Sequence, residues 1–375
     1  MMPVATAIPQ FDLTRQYHHY QDVFLPITQA VLANGAYIGG ETVARFEQAF
    51  AEYVGVPHCI SCNSGTDALY LALRALHIGA GDEVITAAFS FIATAEAISL
   101  TGATPVFVDV QPDTFNLDLE QVAQRITPQT KAIMPVHLFG RPVDMTALNQ
   151  LAQAHGLAVI EDCAQATGSR WQSRPVGQWG TLGCFSFYPT KNLGAMGDGG
   201  AITTHDATLA QRLRELKNHG QRERYTSVTV GVNSRLDALQ AALLTVKLTY
   251  LEQWLTQRRL LAQNYQQLLQ NIPGLILPQD CPGHSWNQFT IIIQSDYISR
   301  NDLRSKLHQA GIGTAVYYPV PLPLQPVYEF LQYNEHTIPH SVNLSHQVIS
   351  LPLFPELTLA EQEQVAETVR TILGG

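Results

Sequence analysis

At 375 residues, with 46% hydrophobic and 14% charged residues, the chain is long enough for one large and one smaller unit around a sizeable interior, and its composition excludes a disordered polymer. Lysine and arginine number 22 against 31 acidic residues, a formal charge of -9 with no basic run, which argues against a nucleic-acid partner. No basic stretch precedes an apolar one in MMPVATAIPQFDLTRQ, and the most apolar window, residues 87–103, is interrupted by Glu96 and several hydroxyl residues, so neither a signal peptide nor a membrane span is expected and a cytoplasmic chain is.

In chain order, residues 41–54 carry Val43, Phe46, Phe50, Tyr53 and Val54 at helical spacing and end at Gly55, an amphipathic helix. A short strand follows at 58–62, then a turn, Asn63-Ser64-Gly65-Thr66-Asp67, and a helix over 68–76 that is apolar on nearly every face and therefore buried. Strands at 83–86, 105–108, 132–136 and 157–161 then alternate with helices at 93–100, 119–125 and 145–155. This alternation predicts an α/β fold with a mostly parallel, buried sheet. Shorter strands at 184–188 and 201–204 flank a glycine-rich loop. A helical stretch over 236–269 is expected to break near 250–256. Beyond Pro273 the pattern gives a strand at 288–293, a helix at 302–310, a proline-rich segment at 318–326 and a final helix at 359–373. Two domains are expected, a large one over 1–249 and a smaller α+β one over 250–375.

Five cysteines, Cys59, Cys62, Cys163, Cys184 and Cys281, fit free thiols. Cys59 and Cys62 form a CxxC, but an apolar pair separates them and no second CxxC follows, so a structural role is expected and no metal is.

The segment Phe185-Ser186-Phe187-Tyr188-Pro189-Thr190-Lys191-Asn192-Leu193-Gly194, followed by Gly197-Asp198-Gly199-Gly200, sets a lysine after an apolar strand among small residues. A desolvated lysine loses its proton and attacks an aldehyde, the chemistry that pyridoxal phosphate requires; a surface lysine in a flexible loop is the plain alternative. Asp162 ends the apolar strand Leu157-Ala158-Val159-Ile160-Glu161, where ligands of open α/β sheets are met, and a carboxylate there would keep a pyridine nitrogen protonated; it reads equally as a helix cap. Ser64, Gly65 and Thr66 precede a helix and suit a phosphate, as they suit an ordinary cap, and Ser186 adds a hydroxyl. Phe91 suits stacking on the ring or a place in the core.

Six segments in order, SGTDAL, GDEVI, PVHLFG, EDCAQATGS, FSFYPTKNLGAMGDGGAITT and GVNSRLDALQAA, resemble the DegT/DnrJ/EryC1/StrS family of nucleotide-sugar aminotransferases over residues 11–355. The resemblance implies the type I, aspartate-aminotransferase-like fold and a homodimer with active sites at the subunit interface. Residue by residue, it makes Lys191 the Schiff-base lysine and Asp162 the pyridinium partner, with Gln165 near the cofactor's ring oxygen. Gly65, Thr66 and Ser186 fall at phosphate-binding positions, Phe91 at the stacking position, and Asn233 at a position that reaches the phosphate of the other subunit. Tyr188, Arg235, His137 and Tyr318 are candidate substrate contacts by position.

The family mechanism would have an amino acid, usually glutamate, displace Lys191, whose freed amine moves a proton between the donor's α-carbon and the cofactor's C4′. A keto sugar then accepts the nitrogen in a ping-pong cycle. Retention of Lys191 sets aside the family's histidine-bearing dehydratases. The loop FYPTKNLGAMGDGGA is more like members that aminate C3 of a dTDP-linked 3-keto-6-deoxyhexose than like C4 enzymes. The alternatives are C4 amination of a dTDP- or UDP-4-keto sugar or an inosose, and a non-catalytic, cofactor-binding regulator. A nicotinamide dehydrogenase would need a GxGxxG after an early strand, which is missing. Three positions depart from the family pattern, Pro323, Val342 and Ser227, and are expected near the sugar or its diphosphate.

Overall fold

The computed structural model describes residues 7–374. Helix α1, Leu13–Asn34, begins where the Asp12 carboxylate accepts from the amides of Thr14 and Arg15. The sequence pattern does not announce this helix, because only Tyr20 and Phe24 of its 22 residues are buried. Helix α2, Gly40–Val54, buries the stripe Val43, Phe46, Phe50 and Val54 and stops at Gly55, whose φ of 85° is the left-handed terminator that glycine tolerates.

The alternating elements follow as β1 (His58–Cys62), α3 (Gly65–Ala75), β2 (Glu83–Ala87), α4 (Ile92–Leu100), β3 (Thr104–Val108), α5 (Leu119–Arg125), β4 (Thr130–Met134), α6 (Met145–Ala154) and β5 (Ala158–Asp162). A small hairpin, β6 (Arg170–Trp171) and β7 (Arg174–Pro175), precedes β8 (Leu182–Ser186), β9 (Gly200–Thr204) and α7 (Ala207–Leu216). The main sheet has seven strands in the order β1-β9-β8-β5-β4-β2-β3. Its strands run parallel except β9, which is antiparallel to both neighbours. The expected α/β fold with a mostly parallel sheet is therefore present, and helices cover both faces. On one side α3, α4 and α7 close an apolar layer with Ile60, Leu69, Leu73, Met134 and Ile202.

Cys59 and Cys62 are three residues apart on β1, so their side chains leave opposite faces of the sheet and enter different apolar clusters. Burial pushes the Cys62 thiol up to about 12. Such a CxxC serves packing.

A short exposed hairpin, β10 (Gln221–Glu223) with β11 (Thr226–Ser227), leads to α8, Ala238–Leu268. The break expected at 250–256 is not there: Leu251, Trp254, Leu255 and Arg258 continue one buried stripe, and the helix runs unbroken for 31 residues. The expected division at 249/250 cuts this helix. Its residues as far as Leu255 pack with α1 and α2, whereas those from Leu261 pack with the C-terminal elements and with Ile8. Those elements are the antiparallel strands β12 (Leu275–Ile276), β13 (Phe289–Ile293) and β14 (Val348–Leu351), covered by α9 (Arg300–Gln309), α10 (Pro339–Gln347) and α11 (Leu359–Gly374). The buried Asp109 carboxylate, just past β3, accepts from the amides of His340 and Ser341 and so anchors α10 to the large sheet. Among the described residues no helix is long and apolar enough to cross a membrane.

Candidate active site

Because β1, β2, β5 and β8 are parallel, the loops at their carboxyl ends converge on one edge of the sheet, where a cleft of about 480 Å³ opens. Gly65, Thr66, Phe91, Asp162, Gln165 and Ser186 line it, as do Tyr188, Lys191 and Tyr318.

At one end α3 begins. Ser64 caps it by accepting from the Asp67 amide at 3.1 Å, which leaves the amides of Gly65 and Thr66 in the electropositive first turn. A Cβ on residue 65 would stand 2.6 Å from the Ser186 Cβ, so only glycine lets the helix start reach the end of β8. Amides and two hydroxyls thus converge as a cradle for an anion.

At the other end Asp162 is buried, 4% exposed. Its oxygens accept from Thr94 Oγ1 at 2.9 Å and from the Ala164 amide at 3.1 Å, and Ser90 Oγ lies 2.9 Å from Thr94 Oγ1. Burial raises the Asp162 carboxyl, opposed by the Ala164 amide, the Thr94 hydroxyl and the charge of Lys191. Lys191 is partly exposed in the cleft, and burial lowers its amine to about 8 against the opposing pull of Asp162. Among the described residues its Nζ has no hydrogen-bond partner in the chain, so the amine is left for a ligand.

The loop that carries Lys191 is held on two sides. The buried Asn192 amide donates to the carbonyls of Thr167 and Ser285, both at 3.2 Å, and accepts from Asn287 Nδ2 at 3.1 Å. Lys247 Nζ, inside α8, donates to the Gly194 carbonyl at 2.6 Å. These contacts tie the lysine loop to the loop after β5 and to the segment entering β13.

Gln165 accepts from the Phe139 amide at 2.7 Å and donates to the Tyr318 hydroxyl at 2.8 Å. The Phe91 ring is 54% exposed, with its centroid 5.9 Å from that of Tyr318, and Tyr188 is 53% exposed. Exposed aromatic faces inside a cleft leave room for a planar ligand.

Some expected residues lie elsewhere. His137 does not line this cleft: it is fully buried, its Nε2 stands 3.1 Å from Glu161 Oε2, and its Nδ1 accepts from the Val143 amide. Asn233 is exposed on the strand-like segment after β11, and Arg235 bonds Asn218; neither lines the cleft of its own chain. Val342 packs with the apolar cluster around Tyr328 and Ile338, Pro323 is buried between Leu322 and Leu324 of that cluster, and Ser227 is exposed on β11; none of the three lines the cleft. Thr94, Asn192 and Asn287 were not singled out from the sequence. The contacts Thr94 to Asp162, Asn192 to Ser285 and Asn287 to Asn192 span 68 to 95 residues, and no local pattern marks them.

The DegT/DnrJ/EryC1/StrS aminotransferase family model matches residues 21–370. A Streptomyces venezuelae protein named dTDP-3-amino-3,4,6-trideoxy-alpha-D-glucose transaminase is 43% identical over 97% of this chain and 95% of its own. An Acidithiobacillus ferrooxidans protein named UDP-N-acetyl-3-dehydro-alpha-D-glucosamine 3-aminotransferase is 44% identical over 99% of both chains. A Geobacillus stearothermophilus protein named pleiotropic regulatory protein is 43% identical over 96% of this chain and 97% of its own. The crystal structure of S. venezuelae DesV in complex with a ketimine intermediate superposes with a TM-score of 0.95 at 42% identity, covering 99% of this chain and all of that one. On its sequence, its fold and the elements that build its cleft, the chain belongs to the DegT/DnrJ/EryC1/StrS aminotransferase family, enzymes of pyridoxal phosphate.

Proposed function

We propose that the chain transfers an amino group from glutamate to C3 of a nucleotide-linked 3-keto sugar, a dTDP-3-keto-6-deoxyhexose, in two half-reactions at this cleft. The observation that carries the reading is the placement of Lys191 and Asp162 in one cleft whose other end is an anion cradle. Pyridoxal phosphate, when bound, supplies the electron sink that makes an α-proton of the donor removable.

The residues present fit that group. Gly65 N–H, Thr66 and Ser186 would hold its phosphate, and the glycine is obligatory at the contact with Ser186. Asp162 would face the ring nitrogen and hold a proton on it, with Thr94 and Ala164 keeping the carboxylate oriented. Phe91 would cover the ring. Lys191 Nζ would hold the cofactor and, once released, take the proton from the donor's α-carbon and return it at the cofactor, a task for which an amine near pKa 8 is well matched at neutral pH.

Two of the relatives named above bear names for amination at the third sugar carbon, which supports C3 over C4, one with dTDP and one with UDP as the carrier. Tyr188 stands at the open side of the cleft for the sugar. Asn233 and Arg235, exposed or half-buried away from their own cleft, suit service to the cleft of a second copy in a cytoplasmic homodimer.

Incubation of the purified protein with pyridoxal phosphate, then glutamate, then a panel of 3-keto and 4-keto nucleotide sugars tests this, with the position of nitrogen read by NMR. Amination at C3 is expected. Preferred 4-keto turnover overturns the substrate. The regulatory reading, to which one relative's name gives weight, requires that glutamate leave the cofactor unconverted in a single turnover.

A further inference from the structure

Helix α8 carries a buried stripe of Leu244, Leu251, Trp254 and Leu255, and within that stripe stands Lys247, 3% exposed. It falls three residues after Leu244 and four before Leu251, where an aliphatic side chain would lie on the same face without the cost of a buried charge. Among the described residues its one hydrogen bond is to the Gly194 carbonyl at 2.6 Å, and no other donor reaches that carbonyl. Glu356, in the segment after β14, is the charged group that faces Lys247, and Arg258 of α8 and His19 of α1 act on the same carboxylate. The Phe24 ring of α1 lies 5.7 Å from the Lys247 nitrogen.

Gly194 closes the turn that carries Lys191. The Lys191 amide donates to the Tyr188 carbonyl at 2.9 Å and the Ala195 amide to that of Phe187 at 2.7 Å. A Cβ on residue 194 would lie 2.2 Å from the Pro189 carbonyl oxygen, so the two ends of the turn touch. A grip on Gly194 is therefore felt at Lys191, three residues away. The grip on Asn192 comes from neutral partners, whereas Lys247 supplies a charged donor, the shorter and stronger kind.

We propose that Lys247 is a positioning residue for Lys191: its ammonium, set in the apolar stripe of α8, fixes the Gly194 end of the turn and so holds the Lys191 amine at its station in the cleft. The inference rests on the pyridoxal-phosphate reading above. Burial lowers the Lys247 amine to about 8, with Glu356 opposing, so the charged grip is present below that pH and fades above it. Lys247 is not among the charges that act on Lys191, so the two titrate independently.

The test compares wild type with Lys247→Met, which keeps an unbranched side chain and removes the donor. Stopped-flow capture of pyridoxal phosphate by the apoprotein is followed from about pH 6 to pH 10, and equilibrium titration gives the Kd for pyridoxamine phosphate, which forms no bond with Lys191. Capture by the variant is expected to be about tenfold slower at pH 7, the weight of one charged hydrogen bond, with the pyridoxamine phosphate Kd within about twofold of wild type. The wild-type to variant rate ratio should shrink as pH rises past about 8. The titration of Lys191 is common to both proteins and cancels in that ratio. Equal capture rates overturn the inference alone. A ratio that stays constant with pH overturns it as well, since a packing defect has no such titration, and so does a parallel loss of pyridoxamine phosphate binding. If Lys247→Met does not fold, Lys247→Gln is judged by the same three criteria. A wild type that captures no cofactor overturns the transaminase reading and this inference together.

Discussion

The hydroxyl of Thr94 stands 2.9 Å from the buried carboxylate of Asp162, although 68 residues separate them. Among the described residues it is one of two donors to that carboxylate, the other being the Ala164 amide. Thr94→Val keeps the shape and removes the donor, so the carboxyl, already raised by burial, rises further and holds a ring proton less well. A hydrogen bond to a charged group is worth about 1.5–3 kcal/mol. The glutamate half-reaction is therefore expected to slow about 10- to 150-fold with the cofactor still bound, as read by single-turnover absorbance.

Lys191 gives a pH dependence of known sign. The lysine attacks only as the neutral amine, and burial lowers it from its ordinary range to about 8. The rate at which the apoprotein captures pyridoxal phosphate should rise about tenfold per pH unit below that value and level off above it. Stopped-flow measurements from acid to alkaline pH check this. A rate still climbing steeply at pH 10 would mean an ordinary exposed lysine.

Gly65→Ala probes the anion cradle. Its methyl would meet the Ser186 Cβ at 2.6 Å, which forces α3 and β8 apart. Overpacking of this kind costs about 1–3 kcal/mol. The Kd for pyridoxal phosphate should rise about tenfold or more, measured by equilibrium titration, while far-UV circular dichroism stays that of the parent.

Glu161 is a structural prediction beside the site. Its carboxylate accepts from the amides of Gly177, Trp179 and Gly180 and stands 3.1 Å from His137 Nε2, with both side chains fully buried. Glu161→Gln would turn an NH2 toward these donors and strand at least one of them. A loss of about 3 kcal/mol or more in urea unfolding is expected, with the cofactor chemistry of any folded fraction preserved.

Much of this site was legible in the sequence for a physical reason. Asp162, Ser186 and Gly65 each sit at the end of an apolar strand or the start of a buried helix, and one-dimensional periodicity reveals such positions. The resemblance supplied the roles that periodicity lacks, Gln165 among them. Contacts set by the order of strands across the sheet were not legible. Thr94 meets Asp162 only because α4 follows β2, which is separated from β5 by β4, and Asn192 meets Asn287 only because α8 returns the chain to the cleft. His137 shows the converse. A histidine at a strand end looks available, but Glu161 from the neighbouring strand claims one nitrogen and the Val143 amide the other. The unbroken α8 has the same kind of cause, since residues 250–256 lose their apolar regularity in sequence while Leu251, Trp254 and Leu255 still find a buried face.

The reversed direction of β9 reaches further than sheet order. With Ser186 paired to Gly200, the whole stretch 187–199 is the tip of a hairpin closed at its neck. That neck is pressed against the start of α3, where a Cβ on residue 200 would lie 2.2 Å from the Ser64 carbonyl oxygen. The Lys191 amine is thus measured out from a clamped base, five residues beyond Ser186, while residues 195–199 lie on the returning limb. Lengthening or trimming that returning limb would reshape the mouth without moving the base. The architecture therefore separates inheritance of the chemistry from diversification of what is admitted to it.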